Sequence, residues 1–312
     1  MKIFVKGKKM NVPASVPEKF KKVYLENLER ITHKTGRLML FAGDQKIEHL
    51  NKDFYGSFIH PNANDPRHLF NIASQGRIGA FATHLGLISR YANEYKNVNY
   101  IVKLNGKTNL VKQEYKDPIS RQLWSVQDVV EFQKNSGLKI CGVGYTVYLG
   151  SEFETKMLHE AAQVVFQAHQ NGLIAILWIY PRGKSLPEHL EPEIFSGATG
   201  VANALGSDFV KIHPSVDSKL FDVSQTLQVA TKSAGNTKVI CSGGESKATN
   251  IFLKELYDQI NVGGASGSAT GRNIFQRSLT DAVALTHAIS SIVYDNKTFE
   301  EAMRIYQEVL AK

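Results

Sequence analysis

The chain is poor in cysteine, with two in 312 residues. Cys141 and Cys241 each sit inside an apolar, strand-like run. They read as small buried core residues in a reducing compartment, not as a disulfide or a metal pair. Long apolar runs are missing too: no stretch reaches the roughly 18 residues that a membrane-spanning helix needs. The N-terminus, "MKIFVKGKKMNVPASVPEKF", is basic but has no apolar h-region and no small-residue cleavage site. No secretory signal is expected, and the cytoplasm is the expected location. The 10 histidines show no ligand spacing, and neither HExxH nor HxxEH occurs. No metal and no cofactor are therefore expected.

Negative charge is in deficit. Lys and Arg number 37 against 29 Asp and Glu, a formal net charge of +8. The basic residues are scattered, with no long block, no zinc-finger spacing and no aromatic-interleaved basic motif. Nucleic acid is therefore not the expected partner, whereas an anionic small molecule suits the balance. Short-period repeats, low-complexity tracts and linkers are also missing.

What is present is alternation. Apolar runs recur at 37–44, 78–86, 99–105, 139–148, 173–181, 208–214, 238–244 and 263–271, each followed by a polar loop and usually by a helical pattern. "DPRHLFNIASQG" opens with an Asp cap and a Pro in the first turn. "SEFETKMLHEAAQVVFQAHQNG" is the strongest helix. Ser151 and Glu154 read as a capping box, Leu158, Ala161, Ala162, Val165 and Ala168 make a stripe, and Gly172 stops it. Eight strands alternating with helices predict an α/β fold, a single (β/α)8 TIM barrel with an extra N-terminal helix and a C-terminal helix. One domain covers 1–312: an extension and helix at 1–35, the barrel at about 36–296, and the last helix at about 298–311. An open doubly wound sheet is the second choice. It would announce itself with a Gly-rich turn after the first strand, where this chain has "GDQKIEH".

In such a barrel the site lies at the C-terminal ends of the strands. Period-2 alternation then decides which side chains enter it. In "DFVKIHP", Val210 and Ile212 suit the outer helices, which turns Phe209, Lys211 and His213 inward. The same argument turns in Trp178, Tyr180 and Arg182 on the fifth run, Asp44 on the first, and Lys103 on the third. A buried ion pair of Asp44 with Lys211 or Lys103 is one reading. The other is favoured: a lysine in a low-dielectric site loses its proton more readily and becomes a nucleophile toward carbonyls. "CSGGES" and "GSATGRNIF" end the seventh and eighth strands, the usual place for a barrel's phosphate loops, and Arg272 adds a bidentate donor. Together they suggest Schiff-base chemistry on a phosphorylated ketose, with Tyr180 moving a proton and Asp44 orienting a hydroxyl.

With those residues identified, the chain resembles the archaeal-type class I fructose-1,6-bisphosphate aldolases, Schiff-base enzymes of the broader DeoC-like group. The resemblance runs from about 36 to 310 and rests on "GDQKIEH", "VKLNGKT", "GVGYTVYLGSEFE", "WIYPRGK", "GSDFVKI", "SGG" and "GRNIFQR". It implies a lyase that cleaves fructose 1,6-bisphosphate, with Lys211 as the Schiff-base residue, Tyr180 as proton donor and Asp44 beside the catalytic centre. It further implies substrate contacts from His49 and Arg182, and phosphate contacts from Ser242, Gly243, Gly244, Gly271 and Arg272. Trp178 beside Tyr180 favours the hexose-bisphosphate enzyme. The alternative is a related aldolase or transferase acting on another phosphorylated ketose. The family forms large symmetric assemblies, so a homo-oligomer is expected. Two departures bear on substrate. Gln45 stands where the family has a substrate-contacting histidine, and Lys46 where it has glycine. Lys46 reads as a solvated loop lysine or as a contact to a second phosphate. His213 and Pro214 replace a Lys-Tyr pair, and His213 reads as a satisfied core histidine or as a group that tunes Lys211. The segment 114–125 reads as a lid, or as a cover for the barrel or a subunit contact.

Overall fold

The eight apolar runs form the eight strands of one closed parallel barrel in a computed structural model. The structure describes residues 4–5, 8–9, 12–186, 191–214 and 222–311. Ser215 and the first residues of the predicted N-terminal extension lie outside that set. The barrel strands are β1 (Leu38–Ala42), β2 (Ala80–His84), β3 (Tyr100–Lys103), β4 (Ile140–Leu149), β5 (Ile174–Pro181), β6 (Phe209–Ile212), β7 (Lys238–Ser242) and β8 (Gly267–Thr270). Each pairs with its sequence neighbour, and β8 closes on β1 with Gly267 opposite Leu38.

The helices are α1 (Lys21–Thr32), α2 (Gln45–Glu48), α3 (Arg67–Gln75), α4 (Leu85–Tyr91), α5 (Val126–Ser136) and α6 (Glu154–Gln170). After them come α7 (Pro192–Ala204), α8 (Val223–Ser233), α9 (Thr249–Asn261), α10 (Arg272–Phe275), α11 (Leu279–Asp295) and α12 (Phe299–Leu310). Among the described residues no helix is long and apolar enough to cross a membrane.

Alternation splits the core into two layers, as the pleat requires. Leu40, Ile101, Ile176, Trp178, Phe209 and Ile240 fill the barrel. Val102, Leu177, Ile179, Val210 and Ile212 pack outward against the helices. Helix α1 lays Tyr24, Leu25, Leu28 and Ile31 on the inner layer. It seals the N-terminal end: the Tyr24 hydroxyl donates to Asp208 (2.5 Å), just before β6, and Asn27 to the carbonyl of Gly172 (2.9 Å), just before β5. One end of the barrel is thus closed and the other carries the loops.

Glycine at 144 is what lets a tryptophan fit inside. A Cβ there would lie 2.1 Å from the Trp178 ring, far inside contact distance. The two cysteines lie on opposite faces of the wall, Cys141 inward and Cys241 outward, and burial pushes each thiol up to about 12.

One helix start differs from expectation. Ser151 and Glu154 form no capping box, because the Ser151 hydroxyl donates to the Pro118 carbonyl (2.7 Å) and accepts the N–H of Phe153 (3.1 Å). Glu154 instead accepts the N–H of Gly150 (2.8 Å). The predicted Asp cap does act: Asp65 accepts the N–H of Arg67 at 2.9 Å. The segment 114–125 is tied across the barrel mouth. Arg121–Gln122 pairs antiparallel with Asn105–Gly106, and the Asp117 carboxylate accepts the N–H of Glu152 (3.2 Å) and of Lys184 (2.7 Å). One carboxylate thereby joins the loops that follow β3, β4 and β5.

Candidate active site

A cavity of about 130 Å³ opens at the C-terminal end of the barrel. Lys211 is its deepest charge, 5% exposed, and comes from β6. Gly43 and Asp44 follow β1, and Asp44 turns its carboxylate into the barrel, where Oδ2 lies 3.6 Å from Lys103 Nζ. The ion pair therefore forms with Lys103, the second of the two partners the sequence allowed. Lys103 and Lys211 hold their ammonium nitrogens 5.3 and 5.7 Å from the centroid of the Trp178 ring, within cation–π range. Two lysines, one carboxylate and one indole thus share a nearly dry space.

Electrostatics sorts these groups. Burial alone would raise the Asp44 pKa, but Lys103 and Lys211 outweigh it and hold the carboxyl below its ordinary value. Burial lowers the Lys211 pKa, and Lys103 pushes the same way while Asp44 opposes. Burial, then Asp44 and Glu48, raise the Tyr180 phenol well above its ordinary value, so it keeps its proton. Trp178 Nε1 and Gln45 Oε1 are buried polar atoms with no hydrogen-bond partner among the described residues. Gln45 lines the cavity, although its Oε1 is itself buried from solvent.

Every predicted site residue lines this cavity except Lys103 and Trp178, which are buried in the barrel beside Asp44 and Lys211. Ser242, Gly243, Gly244, Gly271 and Arg272 form one side. Gly244 takes φ +67°, a left-handed turn that suits glycine. Asn273, wholly buried, donates to the carbonyls of Gly243 and Glu245 (both 2.9 Å) and accepts the N–H of Lys247 (2.9 Å), which fixes that loop. Arg272 and His49 converge on Asp53: Arg272 Nε is 3.8 Å and His49 Nδ1 2.5 Å from Asp53 Oδ2. Arg182 stacks over Tyr180 at 5.4 Å, with Nη1 4.0 Å from Glu48.

The structure places both ambiguous residues, and the Lys211 charge acts on His213. Lys46 is not a solvated loop lysine and does not line the cavity. Its amine donates to Asn51 (3.1 Å) and to the carbonyl of Asn64 (3.4 Å), above the Phe54 ring. His213 is not a core histidine. It stands at the cavity wall with Nδ1 2.7 Å from the Ser242 hydroxyl, and desolvation with the charges of Arg182 and Arg272 lowers it to about 4.

Sequence reasoning missed Glu48, Asp53, His84, Tyr148 and Asn273. Alternation contained one of them. His84 shares the inward parity of Ala80 and Ala82, whereas Tyr148, whose hydroxyl donates to Glu48 (2.6 Å), has the opposite parity to the inward Cys141, because the pairing of β4 with β3 shifts register between Ile140 and Gly142. His84 Nε2 donates to the Asn105 carbonyl at 3.3 Å, and burial followed by Lys103 lowers its pKa to about 4. An unfolded histidine titrates near 6.5, so below that pH the unfolded chain binds the extra proton. Stability should therefore fall as pH drops from about 6.5 toward 4, with His84 contributing up to about 1.4 kcal/mol per pH unit. Urea unfolding at pH 7, 6 and 5 checks this, because His84→Asn should lose that part of the slope. An unchanged slope would rule it out.

Comparison with known proteins identifies the class. The family model for the DeoC/LacD family aldolases matches residues 38–277, the whole barrel. The chain belongs to that family and is an aldolase, a lyase, of the class I fructose-bisphosphate aldolase group. It is 50% identical over 303 residues to a Methanocaldococcus jannaschii protein named fructose-bisphosphate aldolase/6-deoxy-5-ketofructose 1-phosphate synthase, covering 97% of this chain and 96% of that one. It is 34% identical to a class 1 fructose-bisphosphate aldolase of Thermoproteus tenax, covering 90% and 98%. Among solved structures, a fructose-bisphosphate aldolase from Slackia heliotrinireducens superposes with a TM-score of 0.94 at 48% identity, over 99% of this chain and 96% of that one. An archaeal fructose-1,6-bisphosphate aldolase whose catalytic lysine carries the carbinolamine intermediate superposes at 0.72 and 33% identity, over 87% and 99%.

Proposed function

We propose that this aldolase reversibly cleaves fructose 1,6-bisphosphate to dihydroxyacetone phosphate and glyceraldehyde 3-phosphate through a Schiff base on Lys211. The observation that carries this reading is the burial of Lys211 beside Asp44, Lys103 and Trp178 at the floor of a cavity walled by Tyr180. Burial favours the neutral amine, which adds to the C2 carbonyl. Loss of water leaves an iminium, and the Trp178 ring and the Asp44 carboxylate stabilise its charge. The C3–C4 bond then breaks, its electron pair moving into the iminium to give an enamine, while Asp44 orients the C4 hydroxyl and relays its proton. Tyr180, protonated at rest, then donates its phenolic proton to C3 of the enamine, and the proton that Asp44 takes from the C4 hydroxyl restores it. Hydrolysis frees the amine and the second triose phosphate. The 242–244 and 271–272 loops hold the C1 phosphate, Arg272 acting as a charge-assisted donor. The protonated imine is the electron sink, so the reaction needs no metal.

A second reaction is favoured by one observation: the relative at 50% identity also bears the name of a 6-deoxy-5-ketofructose 1-phosphate synthase. A panel of ketose phosphates tests both. Fructose 1,6-bisphosphate should be cleaved in the presence of EDTA, and 6-deoxy-5-ketofructose 1-phosphate should form if the second activity is present. Abolition of cleavage by EDTA, or no cleavage of the bisphosphate, would rule out the first reading.

A further inference from the structure

His213 stands in the wall of the active cavity, and the reaction above gives it no task. Its Nδ1 lies 2.7 Å from the Ser242 hydroxyl, and its ring packs beside Gly244, where a Cβ would meet Cε1 at 3.3 Å. The residue is exposed, so an ion entering the cavity reaches it. Cations surround it from four elements: Arg182 after β5, Arg272 on α10, Lys211 on β6 and Lys247 after β7. Desolvation and these four charges lower its pKa to about 4, so the ring is neutral at pH 7. A neighbouring cavity of about 270 Å³ lies on the other side of His213, Ser242 and Gly243. Each carboxylate lining the two cavities is already engaged. Asp44 lies 3.6 Å from Lys103, and Glu48 accepts the Tyr148 hydroxyl at 2.6 Å. Glu255 lies 2.5 Å from Lys247, and Asp258 lies 2.6 Å from Lys254. His49, the other histidine of the active cavity, is held by Asp53. The ring of His213 therefore sits among cations with no carboxylate of its own.

The bond to Ser242 gives proton uptake a consequence. A neutral imidazole can accept the Ser242 hydroxyl at Nδ1. A protonated one must donate there, which frees the hydroxyl hydrogen for an anion in the loop, and the ring becomes a charge-assisted donor. A dianion held by residues 242–244 and Arg272 offsets the same cations that oppose protonation in the free protein. We propose that His213 is a ligand of the anion in the 242–244 loop, and that anion binding there is coupled to proton uptake on its ring. This inference rests on the placement of a substrate phosphate in that loop. The coupling is reciprocal: an anion that favours the proton is itself held more tightly once the proton is present. Affinity for a dianion should therefore rise as pH falls from the pKa of the anion-bound ring toward that of the free ring, near 4.

Sulfate is the probe, because it stays dianionic between pH 7.5 and 5.5 and adds no titration of its own. In calorimetric titrations of wild type its Kd should fall at least about threefold over that range. Heats compared in two buffers of different ionisation enthalpy should show proton uptake on binding at pH 5.5. His213→Gln, neutral and still able to bond Ser242, should lose most of both effects, while Lys211 and the other groups act alike in the two proteins. Equal pH dependence in wild type and variant would overturn the coupling. So would the absence of proton uptake by wild type, a result that needs no variant. Arg272→Met locates the ion and should weaken sulfate at every pH. Sulfate that fails to bind wild type, or that binds Arg272→Met equally well, would overturn the phosphate-loop reading and the inference with it.

Discussion

Lys211→Met should lower kcat for fructose 1,6-bisphosphate by about 10⁴-fold or more, since removal of a covalent nucleophile leaves only binding and electrostatic assistance. The variant should nonetheless fold. Methionine matches the aliphatic stem, and Asp44 keeps its partner Lys103 at 3.6 Å, so no buried carboxylate is left unpaired. Removing a buried amine whose pKa is lowered also removes a cost. The folded state disfavours the proton that the unfolded lysine carries below about 10.5, so wild type is less stable on that account at neutral pH. Thermal unfolding of Lys211→Met near pH 7 should therefore occur at or above the wild-type temperature. The same shift sets the sign of the pH–rate profile. In wild type, kcat/KM should rise with pH as Lys211 loses its proton, with a midpoint below the ordinary lysine value. An active Lys211→Met variant would remove the Schiff base from the mechanism.

Tyr180→Phe should lower kcat by about 10²–10⁴-fold, the range of a general acid. It should leave iminium formation in place, because Lys211, Asp44 and Trp178 are untouched. The two steps separate experimentally. Borohydride with dihydroxyacetone phosphate should still label Tyr180→Phe, while exchange of the C3 proton with solvent should slow with kcat. Loss of labelling together with turnover would mean that Tyr180 acts earlier, on the carbinolamine. Full activity would mean that the proton at C3 comes from another group.

The barrel was legible because its signals are local and periodic. Each strand run carries one period-2 pattern, and Val210 and Ile212 against Phe209 and Lys211 divide cleanly into an outer and an inner set. That division also carried Lys211, Tyr180 and Asp44 into one cavity. Where the reading stopped, the missing information was long-range. The choice of Lys103 over Lys211 as the partner of Asp44 depends on side-chain reach across the barrel, which alternation does not encode. The Ser151 cap was misread because the hydroxyl bonds Pro118, 33 residues away in sequence. Asp53 and Asn273 escaped notice because they act through other residues: Asp53 gathers His49 and Arg272, and Asn273 fastens the 243–247 loop. Lys46 shows the same limit, since its partner carbonyl belongs to Asn64 in another loop. His84 is different. Its inward parity was already present in β2, so extending the alternation argument to that strand would have found it, whereas the register shift at the start of β4 hides Tyr148 from the same argument.

The covalent role of Lys211 is the claim on which the rest depends. Incubation of wild type with dihydroxyacetone phosphate and borohydride, followed by peptide mass mapping, tests it directly. One reduced adduct should appear on the peptide carrying Lys211 and be missing from Lys211→Met. An adduct on Lys103 instead, or none at all under conditions that support turnover, would show that the buried lysine of β6 is not the nucleophile.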